Sequence, residues 1–351
     1  MQSNGMSDKG RIEYIDAMRG FTMILVVYSH ICNYCLGDKW MGFNDIFFLF
    51  RLPCFFFISG WLFGKIPQEN RPPVRSVIKH KFMVQLVPTL IFLFLLAPPP
   101  LFFSRLGATK GGYWFTFALF IFFLLHIFSS WLAKRYSSRL KDWLMLGFAI
   151  VISVSTFAYD IFYNRYFSYL GWVTKGMGFI SFITWRYYLF FAIGTIVRKH
   201  FDAFVHFTDK PLVITLTVIG FSVFVLHPRS ENIALSYLIF SIGGVLGMTM
   251  VFTFFRKFSA IFSKENFLGR SLQYIGTRTL DIYLLHYFFL PRFLVPYGEQ
   301  LQAYHQPLLE FGASLTIALC VVFICLILSY IIRLNSLLGH YLFGVNYERK
   351  V

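Results

Sequence analysis

The sequence predicts an all-α, polytopic membrane protein with about ten transmembrane helices. Its 351 residues are 57% hydrophobic, 21% aromatic and 14% charged, whereas soluble domains contain about 25% charged residues. Apolar stretches of about 20 residues, the length that crosses a bilayer, follow one another along the chain. The 46 Phe and 20 Tyr exceed what a soluble core of this size can bury, but a bilayer also accepts apolar side chains on the outer surface of a protein.

Ten stretches have the length and composition of membrane spans. They are residues 14–33, 45–64, 82–103, 113–133, 143–159, 180–198, 211–227, 232–255, 272–290 and 308–332. Pro and Gly interrupt several of them, as membrane helices tolerate. We find no repeat or soluble appendage, and the longest loops are too short for a separate domain. Residues 1–351 are therefore interpreted as one membrane domain.

The distribution of Lys and Arg predicts the orientation. With the N-terminus in the cytosol, 21 of the 32 Lys and Arg residues fall in cytosolic segments and seven in outer segments, which follows the positive-inside rule. An even number of spans then places both termini in the cytosol. No small-residue cleavage site follows the first apolar stretch, so we expect that stretch to remain as the first span.

This topology also explains the net charge of +16. Clustered Lys and Arg can indicate nucleic acid binding, but here they lie in short segments between apolar stretches, so no nucleic acid partner is predicted. The five Cys are an odd number, which disfavours a disulfide framework. Cys32 and Cys35 form a C-x-x-C pair that we interpret as two small apolar residues. No metal-site motif is present, and no metal is predicted.

Four arginines lie within the predicted spans and are functional candidates. A charge at that depth costs several kcal/mol on most scales, so it usually faces a cavity or a partner. These residues are Arg19, Arg51, Arg186 and Arg278.

Arg19 and His30 lie eleven residues apart in the first span. At 100° per residue this is three turns plus about 20°, with a rise of about 16 Å, so both side chains are predicted to leave the same face. Asp16, one turn before Arg19, can pair with it. Each residue alone also has a plain structural explanation, because Arg19 can snorkel to the interface and His30 can bond a neighbouring carbonyl.

The pair would suit an enzyme that joins a charged cytosolic donor to an acceptor reached from the membrane or beyond. A guanidinium can hold a phosphate group with two hydrogen bonds. An imidazole can take a proton from a hydroxyl group as that hydroxyl attacks a thioester.

The stretch from Tyr14 to His30, with an Arg, ten residues and a His, resembles the opening signature of the membrane-bound acyltransferase 3 family. Later segments resemble further motifs of that family in the same order: Phe50–Gly60 with its Pro, aromatic residues, Ser and Gly, then Tyr113–Phe115, Arg186–Gly194 and Ile275–His286. The segment Arg51–Phe57 is most similar to the fucose 4-O-acetylase-related branch, although Cys54 stands where that pattern has a larger apolar residue.

This resemblance implies transfer of an acyl group, expected to be acetyl, from acyl-CoA to a hydroxyl group of a sugar or another cell-envelope molecule. It implies a multi-pass protein of the cytoplasmic (inner) membrane whose partners are acyl-CoA as co-substrate, a glycan or glycolipid acceptor and membrane lipid. By family analogy His30 is the catalytic histidine and Arg19 engages the donor on the cytosolic side. Asp16, which can pair with Arg19, is assigned to the same donor-binding site.

Other residues are candidates for lining the site. Arg51 and Arg186 can bind the acceptor, stabilise an oxyanion or pair with an acid. His286 can be a second catalytic group or a structural histidine bonded to a helix carbonyl. Tyr283 can hydrogen-bond within the site, and Ser59 is an acyl-carrier candidate that no adjacent base or elbow motif supports.

A transporter or flippase for an envelope lipid or solute is the alternative prediction. Ten spans with buried Arg and His residues also describe such proteins. The sequence has no internal repeat and no paired interrupted helices, which disfavours this alternative. A third possibility is a membrane scaffold without catalytic activity.

Overall fold

The computed structural model describes residues 6–7, 11–38, 41–64, 73–97, 101–102, 106–107, 109–162, 171–226 and 233–345. Helices dominate these residues, which confirms the all-α class. Two-residue strands β1 (Met6–Ser7) and β2 (Arg11–Ile12) pair antiparallel, with Met6 opposite Ile12.

The α-helices of the described residues, in chain order, are α1 (Glu13–Tyr34), α2 (Asn44–Phe63), α3 (Val74–Lys81), α4 (Val87–Leu96), α5 (Trp114–Leu132), α6 (Ser138–Phe162), α7 (Gly171–Phe179), α8 (Tyr188–Lys199), α9 (Phe201–Thr208), α10 (Pro211–Leu226), α11 (Ile233–Lys257), α12 (Phe267–Thr277), α13 (Thr279–Leu285), α14 (Val295–Ala303), α15 (Pro307–Arg333) and α16 (Ser336–Phe343). A π-helical turn, Phe82–Leu86, joins α3 to α4. Short 3₁₀ segments are Lys110–Gly112, Ala133–Arg135, Phe182–Tyr187, His286–Phe288 and Arg292–Leu294.

Within the described residues, seven helical stretches are long and apolar enough to cross a bilayer. They are Glu13–Tyr34, Asn44–Phe63, Val74–Leu96, Trp114–Arg135, Ser138–Phe162, Ala234–Lys257 and Pro307–Arg333. Helices α9 and α10 would form an eighth span together, although they meet at a bend of 77°. A multi-pass membrane architecture is thus confirmed for the described part of the chain, whereas the number ten and the cytosolic position of both termini remain predictions.

Three predicted spans are not continuous helices in the described part of the structure. Residues 82–103 leave the helical conformation at Ala97 (φ −141°, ψ 80°), where α4 ends. Residues 180–198 contain Ser181 in the left-handed conformation (φ 52°), then a 3₁₀ segment, then only the 12 residues of α8. Residues 272–290 break at Arg278 (φ −112°, ψ 19°) between α12 and α13. Hydropathy reports only the apolar content of a stretch, so it does not detect backbone breaks of this kind.

The chain divides into two compact units. The first unit comprises Met1–Phe55, Asp202–Ser230 and Leu238–Ile331, and the second comprises Phe56–Phe201, Glu231–Tyr237 and Ile332–Val351. The interpretation of residues 1–351 as one functional domain remains a prediction.

Helix α1 forms the core of the first unit. In the most apolar stretch of α1, 83% of the residues are buried, against 22–61% in the corresponding stretches of the other six candidate spans. Ala17, Met18, Met23 and Val27 have no exposed surface. A helix buried on most of its surface directs its polar side chains into protein rather than lipid, so polar residues on α1 must find partners there.

In the second unit, α2 and α8 cross closely at two glycines. A Cβ atom on Gly60 would lie 2.0 Å from the carbonyl oxygen of Phe191, and one on Gly194 would lie 2.1 Å from that of Phe57. Small residues that let two backbones approach are a common basis of helix association in membranes. This crossing therefore positions the segment that carries Ser59.

Lys110 anchors two connecting segments of the second unit. Its Nζ donates to the carbonyl oxygens of Leu106 (3.0 Å), Gly107 (3.0 Å), Gly178 (3.1 Å) and Phe179 (2.6 Å). The residue is 1% exposed, and burial lowers the pKa of Lys110 to about 8. Lys110 lies between the predicted spans 82–103 and 113–133, and only the structure shows that carbonyl groups surround its ammonium group.

Candidate active site

Arg19 connects the start of α1 to α13. Its Nη2 donates to Thr279 Oγ1 at 3.0 Å, and its Nη1 lies 3.6 Å from Asp16 Oδ1. The predicted Asp16–Arg19 pair is therefore present, as a long ion pair one turn apart. The Arg19 side chain keeps 24% of its surface exposed, against 6% for Asp16, so Arg19 is the less enclosed member of the pair.

His30 reaches the same neighbouring segment as Arg19. Its Nδ1 lies 2.7 Å from His286 Nε2, and His286 directly follows α13, the helix that begins at Thr279. The two side chains of α1 thus contact one continuous stretch, residues 279–286. The prediction that Arg19 and His30 share a face of the first helix is confirmed.

Aromatic rings surround the imidazole of His30, which is half-buried. The ring centroid of Tyr287 lies 5.1 Å from that of His30, and the centroid of Tyr34 lies 5.6 Å away. The Tyr287 hydroxyl oxygen is 3.5 Å from His30 Nε2, which is at the long limit of a hydrogen bond. Among the described residues, the long contact with Tyr287 is the one found at Nε2, whereas Nδ1 has a short hydrogen bond.

His286 is fully buried and is bonded at both ring nitrogens. Its Nδ1 lies 3.0 Å from the carbonyl oxygen of Ile282, and its Nε2 meets His30. The two imidazole planes differ by only 13° and their centroids are 4.9 Å apart. Coplanar rings joined edge to edge by an N–H···N bond have centroids about 5 Å apart, so the contact is an in-plane hydrogen bond.

Arg51 brings a positive charge to the same unit. The residue is 8% exposed, and its Nη1 donates to Asn44 Oδ1 at 3.0 Å. Its guanidinium carbon lies 5.3 Å from the ring centroid of Phe48, and its charge acts on His30. Arg51 is thus a buried cation within electrostatic range of the imidazole.

A model of one family, described as an acyltransferase domain (acyltransferase 3), matches residues 12–334. The chain belongs to the acyltransferase 3 family. The match begins just before α1 and ends just after α15, so it includes every candidate residue. No curated protein and no solved structure matches the chain. Together with the membrane-spanning helices, family membership identifies a multi-pass membrane acyltransferase, whereas the fucose 4-O-acetylase-related branch remains a prediction.

Tyr283 lies beside the histidine pair of this acyltransferase. It is 7% exposed, and its ring centroid is 6.0 Å from that of His286. Tyr283 is therefore part of the wall around His286.

The other two candidates belong to the second unit. Ser59 is half-buried on α2, and Arg186 is half-buried in the 3₁₀ segment before α8. The carbonyl oxygen of Arg186 accepts from Ser153 Oγ at 3.3 Å, and its guanidinium carbon lies 6.0 Å from the ring centroid of Tyr187. Their roles in the acyltransferase remain predictions.

Two residues of this site were not predicted from the sequence. Thr279 bonds Arg19 and Tyr287 flanks His30, yet neither was singled out. Thr279 lies within the segment Ile275–His286 that resembles a family motif, and Tyr287 directly follows it, so that resemblance was the available signal. In the described part of the acyltransferase, no group of three or more His, Cys, Asp or Glu side chains is placed to hold a metal ion, and the metal-free mechanism remains a prediction.

Proposed function

We propose that this membrane acyltransferase moves an acyl group, expected to be acetyl, from acyl-CoA to a hydroxyl group of a sugar or another cell-envelope acceptor. The observation that carries the proposal is the His30–His286 hydrogen bond of 2.7 Å. It holds a half-buried imidazole in one orientation, on a helix that also presents Arg19 to the same neighbouring segment. A general base must lie within hydrogen-bond reach of the proton that it removes, and a fixed orientation of the ring favours that geometry.

In the proposed reaction, His30 Nε2 takes the proton of the acceptor hydroxyl as its oxygen attacks the thioester carbonyl carbon. A C–O bond forms, the C–S bond breaks, and the proton passes from His30 to the departing CoA thiolate. The products are the ester and free CoA, and His30 returns to its neutral form. The proposed reaction is complete without a metal ion or a covalent acyl-enzyme intermediate.

Arg19 is proposed to bind the phosphate groups of acyl-CoA from the cytosolic side. Its guanidinium can form two parallel hydrogen bonds to a phosphate, and 24% of the side chain is exposed. Asp16 and Thr279 hold the guanidinium in place. The rise from Arg19 to His30 is about 16 Å, a length that the extended pantetheine arm between the phosphates and the thioester can cover.

Arg51 is proposed to stabilise the negative charge that develops on the thioester oxygen. Fixed positive charge in a site shielded from water contributes strongly to such stabilisation. The bond to Asn44 and the packing on Phe48 support this role, because they hold the guanidinium in place before the reaction begins. We propose that the protein works in the cytoplasmic membrane and modifies an envelope glycan or glycolipid.

The test is label transfer by purified protein in lipid nanodiscs. Acetyl-CoA labelled in its acetyl group is supplied with envelope glycans from cells that lack the protein, and both labelled glycan and released CoA are measured. His30→Ala should abolish both signals without lowering the melting temperature by more than a few degrees. His206→Ala, at an exposed histidine of α9, is the matched control and should retain activity.

Two results would overturn the proposal. One is label transfer by the His30→Ala protein at the wild-type rate. The other is an active, folded wild-type protein that moves a lipid or solute across the bilayer and releases no CoA from any acyl-CoA tested, which would favour the transporter.

A further inference from the structure

The hydrogen bonds of His286 determine which of its ring nitrogens carries the proton. Its Nδ1 faces the carbonyl oxygen of Ile282 at 3.0 Å. A carbonyl oxygen can only accept, so this bond requires a proton on Nδ1. In a neutral imidazole the other nitrogen is then unprotonated, and His286 Nε2 becomes an acceptor.

The position of the proton on His30 follows from its contact with His286. Its Nδ1 lies 2.7 Å from His286 Nε2, and the near-coplanar rings place the Nε2 lone pair along the line between the two nitrogens. Since His286 Nε2 accepts, His30 Nδ1 must donate. The proton of neutral His30 therefore lies on Nδ1, which leaves Nε2 with a free lone pair.

We infer that His286 is a positioning residue that sets the tautomer of His30. The two hydrogen bonds that lead from the Ile282 carbonyl through His286 to His30 form a relay, which begins at that carbonyl. The inference rests on the proposed function, in which His30 Nε2 is the general base. Without His286, His30 could carry its proton on either nitrogen, and only the Nδ1–H form would leave Nε2 able to accept a proton. The relay also stabilises the imidazolium formed during the reaction, because His286 continues to accept from Nδ1.

Burial explains why this arrangement can hold a fixed tautomer. His286 has no exposed surface, so water does not compete for its Nδ1 or Nε2. Leaving either nitrogen of a buried histidine without its hydrogen-bond partner costs free energy, which favours the tautomer that satisfies both contacts. Backbone carbonyls and carboxylates orient catalytic and metal-binding histidines in other proteins by the same logic.

The Tyr287 hydroxyl group is consistent with this assignment. It lies 3.5 Å from His30 Nε2 and can donate weakly to an unprotonated nitrogen. An acceptor substrate that binds at Nε2 would replace this long contact with a shorter one.

The tautomer can be measured directly by nitrogen NMR on histidine-labelled protein in nanodiscs, without substrate. Protonated and unprotonated ring nitrogens have well-separated chemical shifts, and His30→Asn assigns the His30 signals. At a pH where the ring is neutral, we expect His30 to show a protonated Nδ1 and an unprotonated Nε2. A predominantly Nε2-protonated His30 in the folded wild-type protein would overturn the inference.

Substitutions at His286 separate positioning from packing. Gln carries its amide oxygen about as far from the backbone as Nε2 and can accept from His30, whereas Leu fills the space and accepts nothing. We expect His286→Leu to lower kcat by about 100-fold or more, with little change in the KM for acyl-CoA, and to shift His30 toward the Nε2–H form. His286→Gln should retain kcat to within about tenfold of wild type.

His340→Gln is the matched control. The Nδ1 of His340 also contacts a backbone carbonyl, that of Val345 at 2.7 Å, in the second unit. This substitution should change neither the His30 spectrum nor kcat. If Gln and Leu at position 286 lower kcat equally while both proteins keep the wild-type His30 tautomer, His286 is structural and the inference is wrong.

The failure of this inference can be distinguished from failure of the proposed function. If His30→Ala abolishes transfer but wild-type His30 is protonated at Nε2, only the relay is wrong. If His30→Ala retains transfer, His30 is not the base, whatever its tautomer. Should His286→Leu fail to fold, the wild-type spectrum and the His286→Gln kinetics still decide.

Discussion

Gly20 of α1 and Gly276 of α12 each press against the backbone of the other helix. A Cβ atom on Gly20 would lie 1.9 Å from the carbonyl oxygen of Leu272, and one on Gly276 would lie 1.9 Å from that of Asp16. Backbone atoms cannot move aside as side chains can, so the crossing accepts only glycine at both positions. Because Asp16 and Arg19 lie at this crossing, it also sets the position of the proposed donor-binding group.

Substitution of Gly20 by Ala should therefore damage both stability and donor binding. Overpacking of this kind costs about 1–3 kcal/mol, and separation of α1 from α12 would displace Arg19. We expect a lower melting temperature in detergent and a weaker affinity for CoA, measured by calorimetry. Gly147→Ala is the control, since no atom of the described residues lies within 4 Å of a Cβ there. Equal stability of the two variants would contradict the close crossing.

Arg19→Lys should weaken binding of the donor although it keeps the positive charge. Lysine has no planar fork for a phosphate and cannot match the guanidinium geometry toward Thr279. We expect the Kd for CoA to rise about tenfold, equivalent to about 1.4 kcal/mol, and more for Arg19→Ala. Arg278→Lys is the control, at an arginine whose Nη1 donates instead to the Tyr274 hydroxyl at 3.0 Å. An unchanged Kd in Arg19→Ala would remove Arg19 from the donor site.

Arg51→Gln should slow the chemical step more than it weakens donor binding. The substitution keeps a hydrogen-bond donor toward Asn44 but removes the charge that acts on the His30 region. Loss of one group that stabilises an oxyanion lowers kcat by about 10²–10³-fold in well-studied enzymes, and we expect a decrease toward that range. Single-turnover kinetics distinguishes this from slow product release. A normal kcat with a raised KM would indicate instead that Arg51 binds substrate.

Burial of Lys110 should make the free energy of unfolding depend on pH. Its folded-state pKa is about 8, below the usual 10.5, so between these values the unfolded chain binds more protons than the folded protein. The free energy of unfolding should therefore rise with pH from about 8 to 10.5 through this residue. Lys110→Met removes the contribution, and its unfolding free energy should rise less across that range. Identical pH profiles for the two proteins, measured by denaturant unfolding in detergent, would show that Lys110 titrates normally.

The helical class and the shared face of Arg19 and His30 could both be predicted because they depend on local periodicity. Eleven residues of one helix return almost to the same face, whatever the helix packs against. The breaks at Ser181 and Arg278 could not be predicted, because an average over an apolar stretch is insensitive to a single residue with non-helical dihedral angles. The predicted spans over 180–198 and 272–290 therefore differ from the helices observed.

The candidate site was predicted one helix at a time. His30 and His286 were both named as candidates, but nothing in the sequence indicated that they are bonded. Their positions differ by 256 residues, so no periodicity relates them. For His286, the sequence left two roles open, a structural bond to a helix carbonyl and a place in the site. The structure shows both contacts at once, through Ile282 and His30.

The sequence by itself determined that this chain is a multi-pass membrane protein and that the first helix carries an arginine and a histidine on one stripe. Hydropathy and helical periodicity decide both, and each is a property of neighbouring residues. Only the tertiary structure decided that Thr279 and His286 contact these two side chains. It also decided that Gly276 lies against the backbone of Asp16 and that carbonyl groups surround the Lys110 ammonium group. In a bilayer the hydrophobic effect does not choose which helices pair, so close glycine contacts and hydrogen bonds between distant segments make that choice.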